Sequence, residues 1–180
     1  MSRLDGERVF LRPLTVADVS DAYVGWMNDP DTNRYLETRW RAHGRAEVEA
    51  FVAEKAASPS EHLYGVFLRE DGAHVGNLKI GPVDAHHGVA PLSYFLGDPA
   101  ARGRGLATEA VRLGVRLAFA RHKVAKLTAG AYAANVASLR VLEKAGFRRE
   151  GLRRRQVASG TGRDDLVEFG LLPEDLTPAG

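Results

Sequence analysis

The stretch Tyr94-Phe95-Leu96-Gly97-Asp98-Pro99-Ala100-Ala101-Arg102-Gly103-Arg104-Gly105-Leu106-Ala107-Thr108-Glu109-Ala110 narrows the choice of folds more than any other part of the chain. A strand pattern ends at Gly97, a loop rich in glycine and arginine follows, and the loop opens directly into a long amphipathic helix. The first N–H groups of a helix have no intrahelical acceptor, and the helix dipole adds a fixed positive field at the same place. Together they make an anion site, which phosphate fits best. Gly103 and Gly105 let the backbone approach a phosphate closely, and Arg102 and Arg104 can add charge-assisted hydrogen bonds. Two familiar phosphate loops do not match. A Walker A loop ends in Gly-Lys-Ser/Thr, which is missing, and the dinucleotide fingerprint Gly-x-Gly-x-x-Gly would need glycine where Thr108 stands. The pattern that fits is Arg102-x-x-Gly105-x-Ala107.

The rest of the chain supplies the frame for this loop. A strand is expected over Val9 to Leu14, then a helix over Asp18 to Met27 with Asp18 as N-cap. Asn28-Asp29-Pro30-Asp31 carries turn chemistry, and a short helix can follow over Asp31 to Leu36. Arg45 to Ala57 is helical and is stopped by Ser58-Pro59-Ser60. His62 to Arg69, Ala73 to Ile80 and Val89 to Leu96 read as a meander of three strands, with Glu70-Asp71-Gly72 as the first turn and a polar loop from Gly81 to Gly88. Gly103 to Arg121 is the long helix, Lys126 to Tyr132 a strand, and Asn135 to Ala145 a helix with Asn135 as N-cap and Gly146 just past its end. A strand starts at Phe147, and Asp165 to Leu172 is the last. The order β-α-α-β-β-β-α-β-α-β-β implies an α/β (α+β) chain with a mixed, mostly antiparallel sheet of six to seven strands flanked by helices. At 180 residues without a linker or repeat, residues 1–180 are expected to form one domain.

Composition excludes more than it selects. There is no cysteine, so disulfides, thiolate nucleophiles and Cys-ligated metals are ruled out. No metal motif accompanies the histidines. Lys plus Arg is 25 against 23 for Asp plus Glu, too even to imply a nucleic-acid or membrane partner. No apolar run is long enough to span a bilayer, and MSRLDGERVFLRPL has no signal core, so a cytoplasmic location is expected.

The loop pattern resembles the acetyl-coenzyme A pyrophosphate loop of the Gcn5-related N-acetyltransferase (GNAT) superfamily. Ala134-Asn135-Val136-Ala137-Ser138-Leu139-Arg140-Val141-Leu142-Glu143-Lys144-Ala145-Gly146-Phe147 resembles the Asn-x-x-Ser…Glu-Lys-x-Gly-Phe stretch of its branch that acetylates the N-terminal alanine of ribosomal proteins. Phe10-Leu11-Arg12-Pro13-Leu14 and Gly105-Leu106-Ala107-Thr108-Glu109-Ala110 are similar to that branch as well. The resemblance implies the acyl-CoA N-acyltransferase fold, acetyl-CoA as cosubstrate, no metal, and a monomer or homodimer. The acceptor it favours is a protein N-terminal amine; a small amine such as an amino sugar, a polyamine or an antibiotic is the alternative. A non-catalytic acyl-CoA-binding module that keeps the fold is the rival from another class.

The resemblance also distributes roles. Arg102, Gly103, Arg104, Gly105, Leu106, Ala107 and Thr108 would grip the pyrophosphate, with Asn135, Ser138 and Lys144 as further coenzyme contacts. The oxyanion needs a preplaced N–H donor; in the superfamily it is backbone on the strand before the loop, here Phe95 or Leu96. That strand would splay from Thr128–Tyr132 to admit the pantetheine arm. Many relatives protonate the leaving thiolate with a tyrosine, but that position holds Leu142, and the branch's serine corresponds to Ser138. Ser138 could instead bond only to its own backbone, as the third residue of its helix. For the base, Glu109, a water held by Tyr94, and the loop pair His86 and His87 are open; Glu109 also reads as a surface carboxylate paired with Arg112. Trp26, Tyr35 and Trp40 could shape an acceptor pocket or belong to the core. Arg148, Arg149, Arg153, Arg154 and Arg155 could touch the 3′-phosphate, an acidic substrate or RNA, or form a solvated strand.

Overall fold

The computed structural model describes residues 3–160 and 162–176, so the ends of the expected 1–180 unit lie outside the described residues. Eight strands form one sheet in the order β1-β2-β3-β4-β5-β6-β8-β7. They are β1 (Leu4–Asp5), β2 (Val9–Pro13), β3 (His62–Leu68), β4 (His74–Ile80), β5 (Val89–Leu96), β6 (Lys126–Tyr132), β7 (Arg148–Ser159) and β8 (Gly162–Leu171). Six to seven were expected; the extra strand is β1, whose two residues are too few to show a period-2 pattern. The helices are α1 (Asp21–Asn28), α2 (Pro30–Asn33), α3 (Arg45–Ala57), α4 (Leu106–Arg116) and α5 (Val136–Lys144).

Strand alternation sends successive side chains to opposite faces, and each face has its own core. Phe10, Leu14, Leu63 and Phe67 face α1 and α3, where they bury Tyr23, Trp26, Val48 and Val52. Leu11, Val66, Leu78 and Leu127 face the other way, under Leu106, Ala110, Val111 and Leu113 of α4 and Leu139 and Leu142 of α5. Among the described residues no helix is long and apolar enough to cross a membrane.

Several boundaries differ from the sequence reading, each for a local reason. Asp18 does not cap α1. Ser20 does, accepting from the Tyr23 N–H at 3.1 Å. The Asp18 carboxylate is taken up by Arg12, at 2.6 and 2.8 Å, and by the Thr15 N–H. α1 ends at Asn28, where the turn residues were expected to stop it, and the short helix that follows opens one residue early, at Pro30, because Asp29 accepts from the Asp31 and Thr32 amides ahead of it. α4 begins at Leu106, not Gly103: Gly103 and Gly105 sit at φ +71° and +76°, outside the helical region. At its other end α4 continues into a π-helical turn, Leu117–Arg121.

Candidate active site

Every strand pair is antiparallel except β5 and β6. These two run parallel and pair only at Val89–Lys126, Ala90–Leu127 and Pro91–Thr128. Beyond Pro91, β5 keeps β4 and β6 keeps β8, so the sheet opens between them. On the face away from α4 and α5 the divergence forms a cleft of about 510 Å³, lined by Ser93, Thr128, Gly130, Leu166 and Glu168 among others.

Parity decides which β5 amides face this opening. The Gly97 N–H donates to the Val75 carbonyl at 2.9 Å, and the Gly81 N–H to the Pro91 carbonyl at 2.8 Å. In an antiparallel ladder the bonded residues alternate. Ser93 and Phe95 therefore turn their amides to β4, while Tyr94 and Leu96 turn theirs into the opening. Phe95, one of the two expected oxyanion donors, thus spends its amide on the ladder, and its ring meets Trp26 edge-on. Leu96 turns its amide away from β4, toward the opening.

The α4 N-terminus lies just past Leu96. The N–H groups from Gly103 through Thr108 find no acceptor among the described residues. Arg102 through Gly105 are exposed and Leu106 is buried. Positive φ at Gly103 and Gly105 curls the loop so that successive amides converge, which a β-carbon would oppose. The loop arginines point elsewhere. Arg102 donates to Thr32 Oγ1 at 2.6 Å and to the Gly97 carbonyl at 3.3 Å. The Arg104 guanidinium lies 3.6 Å from Glu70. The first turn of α4 borders a hollow of about 330 Å³ lined by Arg8, Gly105, Thr108, Glu109, Arg112 and Lys144, with Glu7.

Tyr94 and Ser138 come together across the opening, the phenol and the hydroxyl 2.9 Å apart. Burial raises the Tyr94 phenol to about 12, against a smaller opposite effect of the Ser138 bond, so it is protonated at neutral pH. Asn135 caps α5 by accepting from the Ser138 N–H at 3.2 Å, which leaves the Ser138 hydroxyl free to meet Tyr94. Leu142 is 1% exposed inside the core.

Glu109 stands apart from this pair. Its Oε1 accepts from the Arg8 and Val9 amides at 2.7 and 3.1 Å, and its Oε2 from Arg8 Nε at 3.0 Å. Its partner is Arg8, not Arg112. Burial works against its charge, but these bonds outweigh it and hold the carboxyl below its ordinary value. His86 and His87 are exposed, with both amides on Asp84 Oδ1. The three aromatics go separate ways: Trp26 belongs to the core, Tyr35 lies edge-on to Tyr132, and Trp40 is 63% exposed. Three of the basic-run arginines are paired, Arg148 with Asp175, Arg149 with Glu143 and Arg153 with Glu168.

Sequence reasoning missed a wall on the cleft side of the sheet. Tyr132, 5% exposed, donates to Glu37, and Arg39 donates to the Tyr132 oxygen at 3.0 Å and to the Ala158 carbonyl at 2.9 Å. The Glu37 side chain remains 71% exposed. No local pattern announces contacts of this range; only the density of polar and aromatic residues in Tyr35–Trp40 hints at them.

A family model described as an acetyltransferase (GNAT) domain matches residues 8–148. The chain belongs to the GNAT acetyltransferase family, and it is an acetyltransferase. It is 31% identical over 179 residues to the probable N-acetyltransferase YjcK of Bacillus subtilis, covering 96% of this chain and 98% of that one. Its fold matches a spermidine N-acetyltransferase from Vibrio cholerae, solved with CoA and spermine, at TM-score 0.84 and 17% identity over 93% of this chain and 96% of that one. It also matches a ribosomal-protein-S5-alanine acetyltransferase from Vibrio fischeri, at TM-score 0.83 and 16% identity over 99% and 100%. The open, mostly antiparallel sheet is that of GNAT enzymes.

Proposed function

We propose that this acetyltransferase moves the acetyl group of acetyl-CoA onto a primary amine by direct attack, and that its acceptor is a protein N-terminal amine. The observation that carries the reading is the alignment of unpaired amides at Gly103–Thr108 with the β5/β6 opening and the Tyr94–Ser138 hydroxyl pair. Acetyl-CoA supplies the activated acyl group. The Gly103–Thr108 amides hold its diphosphate, Lys144 lies on the rim of the same hollow, and Asn135 orients the start of α5.

The Leu96 N–H, preset and facing the opening, is assigned to the developing oxyanion. Ser138 donates to the departing sulfur while Tyr94 donates to Ser138, so the thiolate leaves against two hydroxyls instead of one. A thiol titrates near 8.5 and the Tyr94 phenol near 12, so the pair acts by hydrogen bonding and relay; the proton that ends on sulfur is the one the amine loses. Demand on a base is light for an N-terminal amine, which titrates near 8 and is about a tenth neutral at pH 7. Glu109 is left out of the relay because its oxygens hold β2.

The acceptor enters from the face opposite α4 and α5, past Tyr132 and Glu37. A second reading, a small cationic amine such as a polyamine, is favoured by the exposed Glu37 carboxylate on that route. A thiol-release assay with acetyl-CoA tests both. Turnover with peptides that have free N-termini, absent when the termini are blocked, supports the first reading; turnover with spermidine alone selects the second. Tight CoA binding with no turnover on any amine would mean a non-catalytic module.

A further inference from the structure

Three guanidinium groups stand around the α4 amides, and two of them are committed elsewhere. Arg102 is tied to Thr32 and to the Gly97 carbonyl, and Arg104 leans toward Glu70. The third, Arg8, comes from the residue just ahead of β2 and was invisible to any local motif. Its Nε bonds Glu109 Oε2 at 3.0 Å, and its NH1 bonds the Arg104 carbonyl at 2.6 Å. These two bonds lock the plane of the group across the pyrophosphate loop. Its NH2 has no acceptor among the described residues, and it lies 3.3 Å from the point where a β-carbon on Gly105 would stand. A side chain at Gly105 would press on this nitrogen. Arg8 also borders the hollow that Gly105, Thr108 and Lys144 line.

The remaining charges of the hollow fit an anion. Glu109 has both oxygens engaged by β2 and by Arg8 itself. Arg112 spends NH2 on the Lys144 carbonyl at 2.7 Å, which fixes the end of α5 against α4 and keeps Lys144 at the rim. A guanidinium with two donors anchored and a third aimed over a row of free amides is a preorganised phosphate ligand.

We infer that Arg8, rather than Arg102 or Arg104, supplies the guanidinium that meets a phosphate of coenzyme A, opposite Lys144. The inference rests on the reading of Gly103–Thr108 as the coenzyme A diphosphate site. It extends that site to a residue 96 positions away in sequence from Arg104. An ammonium would keep the charge but not the planar fork whose separate nitrogens reach Glu109, the Arg104 carbonyl and a phosphate.

Titration calorimetry with CoA, and NMR shifts with millimolar pantetheine, which lacks the phosphates, test it. Arg8→Gln is expected to weaken CoA about 10- to 100-fold and to leave pantetheine within threefold, with Arg102→Gln weakening CoA less than threefold. Arg8→Lys, which keeps the charge beside Glu109 and serves if the glutamine variant folds poorly, is expected to weaken CoA at least about fivefold. Wild-type CoA affinity in Arg8→Gln overturns the inference, and so does equal loss of CoA and pantetheine, the mark of a merely structural arginine. If the unmodified protein binds no CoA, the reading of the loop itself fails, a result distinct from either.

Discussion

The two ends of α4 are built from the same helix and solved in opposite ways. At the C-terminal end the backbone is closed off. The π-helical turn lets the His122 N–H reach the Leu117 carbonyl at 3.1 Å, and the Val124 N–H reaches the Ala118 carbonyl at 3.1 Å. Beyond it the His62 and His122 rings stack 3.6 Å apart, and the Tyr64 hydroxyl lies 2.7 Å from His122 Nε2. At the N-terminal end six successive amides have no acceptor among the described residues, and two glycines there hold positive φ. Four unpaired N–H groups are normal at a helix start; here the glycine loop adds two more ahead of them, and the coenzyme site is proposed at this end for that reason.

The largest effect is expected from filling the open end. Gly105→Val puts a β-branched residue at φ +76° and a side chain 3.3 Å from Arg8. Strain of about 1–2 kcal/mol should lower stability modestly, while CoA affinity should fall at least about 100-fold as the amides turn away. Calorimetry and urea unfolding separate the two. Loss of stability with CoA affinity intact would make the loop a structural turn.

Next in size is the hydroxyl pair. Ser138→Ala and Tyr94→Phe should each lower kcat about 10- to 100-fold with CoA affinity nearly unchanged. The double variant should be little worse than either single one, because the two groups act in series. Additive losses would show that they act independently.

A smaller effect separates a catalytic from a structural role for Glu109. Glu109→Ala leaves the Arg8 and Val9 amides without their acceptor and should cost about 2 kcal/mol of stability. At saturating acetyl-CoA and amine its kcat should stay within about threefold of the unmodified enzyme, against the about 100-fold or greater loss expected of a general base.

The sequence was informative where function depends on local order. The strand, loop and helix from Tyr94 to Ala110 could be read directly, because backbone amides at a helix start need only glycines and a helical pattern after them. Ser138 and Asn135 were legible for the same reason, being spaced along one turn of α5. What could not be read is set by pairing. The choice of Leu96 over Phe95 follows from the register of β5 on β4, and a one-residue slip would reverse it. The Arg8 bond to the Arg104 carbonyl and the Tyr132–Glu37 contact bridge 96 and 95 residues, and the loop pattern that pointed to Arg102 and Arg104 carried no sign that their side chains reach Thr32 and Glu70. The start of α1 slipped because Asp18 has a better partner in Arg12 than in the α1 amides, and that of α4 because Gly103 and Gly105 hold positive φ.

The sealed end carries the smallest effect, and it is one of pH. Burial lowers His122 to about 4, helped by the neighbouring His62 and Arg121, and burial lowers His62 too. In the unfolded chain both would titrate near 6.5. Between about pH 6.5 and 4 the unfolded state therefore binds protons that the folded state refuses, so stability rises with pH across that window and falls on acidification. His122 is partly exposed, and solvent screening should hold its share to on the order of 1 kcal/mol. Urea unfolding at pH 7 and pH 5 should show the unmodified protein losing more stability than His122→Gln, which keeps a hydrogen-bond partner for Tyr64 but cannot charge. CoA affinity measured at pH 7 should be the same in both, since nothing at this end reaches the open amides. If His122→Gln instead weakened CoA, the two ends of α4 would be coupled through the helix, and its C-terminal packing would belong to the coenzyme site.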